Sequence, residues 1–192
     1  MEKDWNTLHE IIKSVWMDIE TDYNNGCILN EDTLKNAFYF HLRTALAQGE
    51  EYADYRIFTE CTDFGFSDHN KRPDMIVARI TPEKSTGKRI EIQEQGIVAI
   101  IEFKYKSEKC AYVCEEVMHD FEKIRAYHRE NGWLLPDCHF YIAAITLGDF
   151  TKDAWVYDKR TLENWAKGHL TELIAYEPDG KLEFTLIEHG IH

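Results

Sequence analysis

The chain has 192 residues, 44% of them hydrophobic, which suits a single domain with a buried core and excludes a disordered chain. A formal charge of −13 argues against a general affinity for nucleic acid, whose backbone favours basic surfaces. Five cysteines, odd in number and irregular in spacing, exclude a disulfide framework, and no apolar run reaches the length of a membrane span. With the polar opening Met-Glu-Lys-Asp-Trp, the expectation is a soluble, cytoplasmic protein with no membrane attachment. The acidity is uneven. Residues 1–32 hold eight acids against two bases and residues 170–192 hold five against one, so residues 33–169 carry only −3.

In chain order, Trp5, Leu8, Ile12, Val15, Trp16 and Ile19 recur at helical spacing and predict an amphipathic helix over 4–20, ended by the polar run Thr21–Gly26. Asn30 is a good N-cap for a helix of about 31–48, with Leu34, Phe38, Leu42 and Ala45 on its buried stripe. Residues 55–62 predict a strand, followed by a turn-rich stretch to Arg72. Residues 74–80 and 97–105, rich in Ile and Val, predict two more strands. Between them the polar segment 81–95, with Pro82 and Gly87, is a connection or extended hairpin. A helix over 112–130, stopped by Gly132, leads to an apolar strand over 138–147. A helix around 162–174 and a strand around 182–187 are expected to complete the chain. The order from residue 30 to 147 is helix, three strands, helix, strand, which indicates a layered α/β domain.

The chemically informative residues are Arg72-Pro73-Asp74 at the mouth of one strand and Glu102-Phe103-Lys104 near the end of the next. Residues two apart in a strand point the same way, so Glu102 and Lys104 share a face. Charged groups at the end of the apolar run Ile97–Ile101 are costly unless they serve something. If the strand of Asp74 pairs beside this one, the two carboxylates converge. Such a pair suits Mg²⁺ or Mn²⁺, hard cations that prefer oxygen and retain several waters. The plainer readings are a strand-entry cap for Asp74 and a cross-strand ion pair for Glu102 and Lys104.

Pro73-Asp74, a gap, then Glu102-x-Lys104 on a helix–strand–strand–strand–helix–strand frame resembles the PD-(D/E)xK nuclease superfamily. The resemblance covers about residues 30–147. It implies an α/β, restriction-endonuclease-like three-layer core: a central mixed sheet flanked by helices. To that core the chain would add the N-terminal helix 4–20 and a C-terminal helix–strand extension over 150–192, all one domain over 1–192. Residue by residue, Asp74 and Glu102 match the metal-binding carboxylates and Lys104 the catalytic lysine. Glu31, in the first turn of the preceding helix, stands where many members place a further acid, although it is equally a first-turn complement to the helix dipole. Glu60 is a weaker candidate for the same place. The segment 81–95 becomes an insertion.

The implied activity is Mg²⁺- or Mn²⁺-dependent cleavage of DNA, with Lys104 orienting the attacking water. Lys106 and Lys109, just beyond the motif, are candidates for DNA contact, as are Lys123, Arg125 and Arg129 further on. A homodimer or a partner protein would supply target recognition. The alternative is a catalytically silent nuclease-fold module acting through protein contacts. Cys110-x-x-x-Cys114, His119 and Cys138-His139 fit no standard zinc site, and no Gly-rich phosphate loop is present.

Overall fold

Leu8, Ile12, Val15, Trp16 and Ile19 do lie on one buried face of the first helix. In the computed structural model, which describes residues 2–60, 72–80, 96–107, 113–131, 138–147, 166–177 and 180–189, this helix is α1 (Glu2–Asn24). It outruns its expected end because polar side chains at Thr21 and Asp22 do not break a helix. Gly26 does: its φ of +73° is a left-handed cap that closes the last turn with a bond from its N–H to the Tyr23 carbonyl. Helix α2 (Glu31–Leu46) starts where the sequence places it. The Asn30 side chain accepts from the Thr33 N–H at 2.8 Å while the Thr33 hydroxyl accepts from the Asn30 N–H at 3.0 Å, a reciprocal capping box. Leu34, Phe38, Leu42 and Leu46 form its buried stripe.

The strands are β1 (Tyr55–Thr59), β2 (Met75–Arg79), β3 (Ile97–Lys106), β4 (His139–Thr146), β5 (Leu170–Tyr176) and β6 (Glu183–Glu188), with α3 (Val113–Asn131) between β3 and β4. They form one sheet in the order of the chain, β1 to β6. Pairing is antiparallel from β1 through β3, parallel from β3 through β5, and antiparallel again between β5 and β6. Met75, Val77, Ala99, Ile101, Phe103, Tyr141 and Ala143 form one apolar face with α1 and α2. Ile76, Ile100, Phe140, Ile142 and Ile174 form the other, with Phe121, Ile124 and Tyr127 of α3. Helices therefore cover both faces of a mixed sheet, the three-layer arrangement expected. Strands β3 and β4 are central, as their apolar runs require. None of the helices among the described residues is long and apolar enough to cross a membrane.

Two differences from the sequence reading have physical causes. The helix expected over 162–174 is a strand from residue 170: β5 runs parallel to β4, and all seven of its residues are buried. A short apolar run covered on both faces carries no periodicity that separates strand from helix, so Leu-Thr-Glu-Leu-Ile-Ala-Tyr is ambiguous on pattern alone. Residues 162–165 lie outside the described residues, as do the expected turn and connection at 61–71 and 81–95. The C-terminal extension is thus, where described, a strand pair and not a helix and strand. Strand β1 stops at Thr59 because Glu60 adopts a left-handed φ of 54°, although its N–H still reaches the Asp74 carbonyl at 3.0 Å. The β2–β3 register slips between Val77 and Ala78, where Gly96 approaches so closely that a Cβ would stand 2.7 Å from the Arg79 carbonyl oxygen.

Buried polar groups tie the outer elements down. His9 of α1 bridges the Tyr141 hydroxyl of β4 at 2.8 Å and the Glu188 carboxylate of β6 at 3.0 Å, and Lys13 joins Glu188 at 2.8 Å. Glu172 of β5 meets His189 at 2.5 Å. His139 meets Thr171 at 2.8 Å, and burial first, then the neighbouring His9 and His169, lowers its pKa to about 2.

The layer joining α2 to β3 depends on Phe103, fully buried with its ring edge-on to Phe38 at 5.3 Å. Phe103→Ala is expected to cost about 3–5 kcal/mol in a urea unfolding titration. A loss under about 1 kcal/mol would place that side chain outside the core.

Candidate active site

Pro73 is buried and Asp74 half-buried at the entry to β2. Met75 pairs with Ile101, so one step earlier Asp74 stands level with Glu102. An Asp74 oxygen, Oδ2, accepts a hydrogen bond from the Phe103 N–H at 2.8 Å, which fixes the carboxylate against β3. The alternation of β3 sends Ala99, Ile101 and Phe103 toward α1 and α2, and Ile100 toward α3. Glu102 follows Ile100 to the α3 face and has no exposed surface.

A fully buried carboxylate requires compensation. Glu102 Oε2 accepts from the Lys123 ammonium of α3 at 2.6 Å, whereas Oε1 is buried and makes no close hydrogen bond among the described residues, although the Tyr127 hydroxyl also acts on the carboxylate as a hydrogen-bond neighbour. Burial, and after it the charge of Asp74, pushes the Glu102 pKa well above the ordinary carboxylate value; Lys123 opposes this without reversing it. One turn beyond Lys123, Tyr127 closes over the group, and burial together with Glu102 raises its hydroxyl pKa.

Lys104, two residues on, joins Asp120 of α3 and Glu31 of α2, each at 3.3 Å. Burial lowers its pKa, but Asp120 and Glu31 outweigh burial and leave it raised, so Lys104 is an ammonium. Asp120 is itself buried, and burial raises its pKa against the pull of Lys104. The first residue of α2 and the middle of α3 are thereby fastened to the end of β3.

The structure brings Asp74, Glu102 and Lys104 to one strand end and sets Glu31 against Lys104. Glu60 turns elsewhere, paired with Lys35 and Arg72. Lys35 of α2 also feels the charge of Asp74. Lys106, half-buried, ends β3 opposite Thr146. Lys109 lies outside the described residues. Sequence reasoning did not single out Asp120, and it named Lys123 only as a candidate for DNA contact. Their signal was present as Asp120, Lys123 and Tyr127 at helical spacing beside the apolar Phe121 and Ile124.

Among the described residues no group of three or more His, Cys, Asp or Glu side chains forms a ready metal cage. The donor set still fits a hard divalent ion, which takes one or two protein carboxylates and completes its shell with water and phosphate. Asp74 and Glu102 could hold it, and the buried Glu102 Oε1 is the oxygen left for it.

No family model matches the chain, and no curated protein matches it. Two solved structures are similar to it. One is described as Bse634I restriction endonuclease: 15% identity, TM-score 0.32, covering 75% of this chain and 71% of that one. The other is described as the Type IIF restriction endonuclease Bse634I with cognate DNA: 13% identity, TM-score 0.36, covering 83% and 76%. Likenesses at these scores carry no argument about the site, which is read from its own geometry.

Because the folded-state pKa of Glu102 lies above its ordinary value of 4.5, the folded protein retains a proton that the unfolded chain releases. In metal-free protein its contribution is most favourable below the unfolded value and declines as pH rises toward the folded one. The melting temperature of Glu102→Gln minus that of wild type, in chelator, should therefore grow as pH rises above the unfolded value of 4.5. A difference that stays constant would contradict the raised pKa.

Proposed function

We propose that the chain is a divalent-metal-dependent nuclease that hydrolyses phosphodiester bonds in DNA. The observation that carries this reading is Glu102: a wholly buried carboxylate whose second oxygen makes no close hydrogen bond among the described residues, level with Asp74 and two residues from a fixed ammonium. Mg²⁺ or Mn²⁺ held by Asp74 and Glu102 would polarise the phosphoryl oxygen and lower the pKa of a bound water. Asp74, anchored by the Phe103 N–H, presents its other oxygen from a fixed position. Lys104 orients and does not abstract a proton, because its raised pKa keeps it charged. An ammonium has three donors. Asp120 and Glu31 engage two of them, and the third is available to the attacking water or a phosphoryl oxygen.

DNA is held weakly by the isolated chain on this reading, since the net charge of −13 opposes a polyanion. Contacts come from the central cations, Lys104 and Lys106 among them. A second copy or a basic partner would supply the rest and choose the target.

Plasmid incubated with Mg²⁺ or Mn²⁺ should be nicked or linearised by wild type. Lys104→Ala and Asp74→Asn should each lower the rate by about 10²-fold or more while remaining folded. Cleavage by both variants at the wild-type rate would defeat the proposal.

A further inference from the structure

Lys123 holds the place next to Glu102 that a cation would be expected to fill. Its ammonium sits 2.6 Å from Oε2 and its side chain is 14% exposed, so the pair is shielded from solvent. Around the same strand end stand four carboxylates, Glu31, Asp74, Glu102 and Asp120, and two ammoniums, Lys104 and Lys123. With every group ionised the cluster carries −2, the charge of one divalent cation with the sign reversed. Lys104 is bound by two carboxylates from two helices, whereas among the described residues Lys123 forms an ion pair with Glu102 alone. Lys123 also carries its charge on a long, flexible stem, able to move without disturbing the helix.

We propose that Lys123 is a resident cation, which occupies the Glu102 carboxylate in the metal-free protein and is displaced from it when a divalent ion binds. The inference rests on the nuclease reading for the identity of the ion site and adds a competition within it. Lys123 holds the Glu102 side chain in place before the metal arrives, and lowers the metal affinity by opposing the incoming charge. Once displaced, its ammonium is left beside the phosphate-binding side of the cluster. It is a positioning residue for Glu102.

The experiment is Mn²⁺ titration by calorimetry of wild type, Lys123→Met, Lys123→Arg and Asp74→Asn, joined to acylation footprinting of lysines by mass spectrometry. Lys123→Met should bind Mn²⁺ about tenfold or more tighter than wild type, because a repelling charge is gone. It should also melt lower than wild type in chelator and gain more from Mn²⁺. Lys123→Arg, which keeps the charge, should bind with near wild-type affinity. Labelling of Lys123 in the wild type should rise when Mg²⁺ is added and not in Asp74→Asn. This readout needs no Lys123 variant to fold. Equal or weaker Mn²⁺ binding by Lys123→Met, or labelling indifferent to Mg²⁺ while wild type still binds it, overturns the role of Lys123 and leaves the ion site standing. No Mn²⁺ binding by wild type overturns the ion site and this proposal together.

Discussion

A carboxylate without exposed surface at the centre of a sheet is the constraint from which the rest of the site follows. Glu102 lies on β3, where the pairing changes from antiparallel with β2 to parallel with β4. Taking that charge out of water costs several kcal/mol unless a counter-charge and hydrogen bonds replace the solvent. Asp74 worsens the problem and Lys123 relieves part of it. α3 must therefore lie over this strand with a cation at that one turn. Fastening Lys104 to Asp120 and Glu31 then fixes α3 and α2 relative to β3. Such an arrangement is expensive as scaffolding, since apolar residues of similar volume would often be as stable or more so. Its presence favours a ligand that uses the charge.

The charge distribution agrees with that view. The excess acid lies at the ends of the sequence, and among the central residues Lys123 pairs with Glu102, Lys35 feels the charge of Asp74, and Lys104 stands two residues on from Glu102. Lys35 and Arg72 share Glu60, whose left-handed backbone ends β1. Local cations beside a carboxylate pair suit a bound phosphate more than they suit a broad polyanion-binding surface.

Much of this was legible in the sequence. The strands carrying Asp74 and Glu102-x-Lys104, their neighbourhood and a fourth strand in the same mixed sheet follow from apolar runs and from the rule that connections are short. The capped start of α2 at Asn30 was equally plain. What escaped was set by tertiary contact. β5 resembled a helix because a strand buried on both faces has no two-residue alternation. Lys123 and Asp120 resembled ordinary surface charges on an amphipathic helix, since nothing local shows which turn lies over a buried acid. The bridge from His9 to Tyr141 joins residues 132 positions apart, a distance no local pattern reports.

The central claim is that Asp74 and Glu102 form one divalent-ion site, and anomalous diffraction from crystals grown with Mn²⁺ tests it most directly. A single Mn²⁺ peak bonded to an oxygen of each carboxylate at ordinary Mn–O distance is the expected result. Absence of a peak there, with Asp74 still on the Phe103 N–H and Glu102 still on Lys123 while Mn²⁺ binds elsewhere or nowhere, would contradict it.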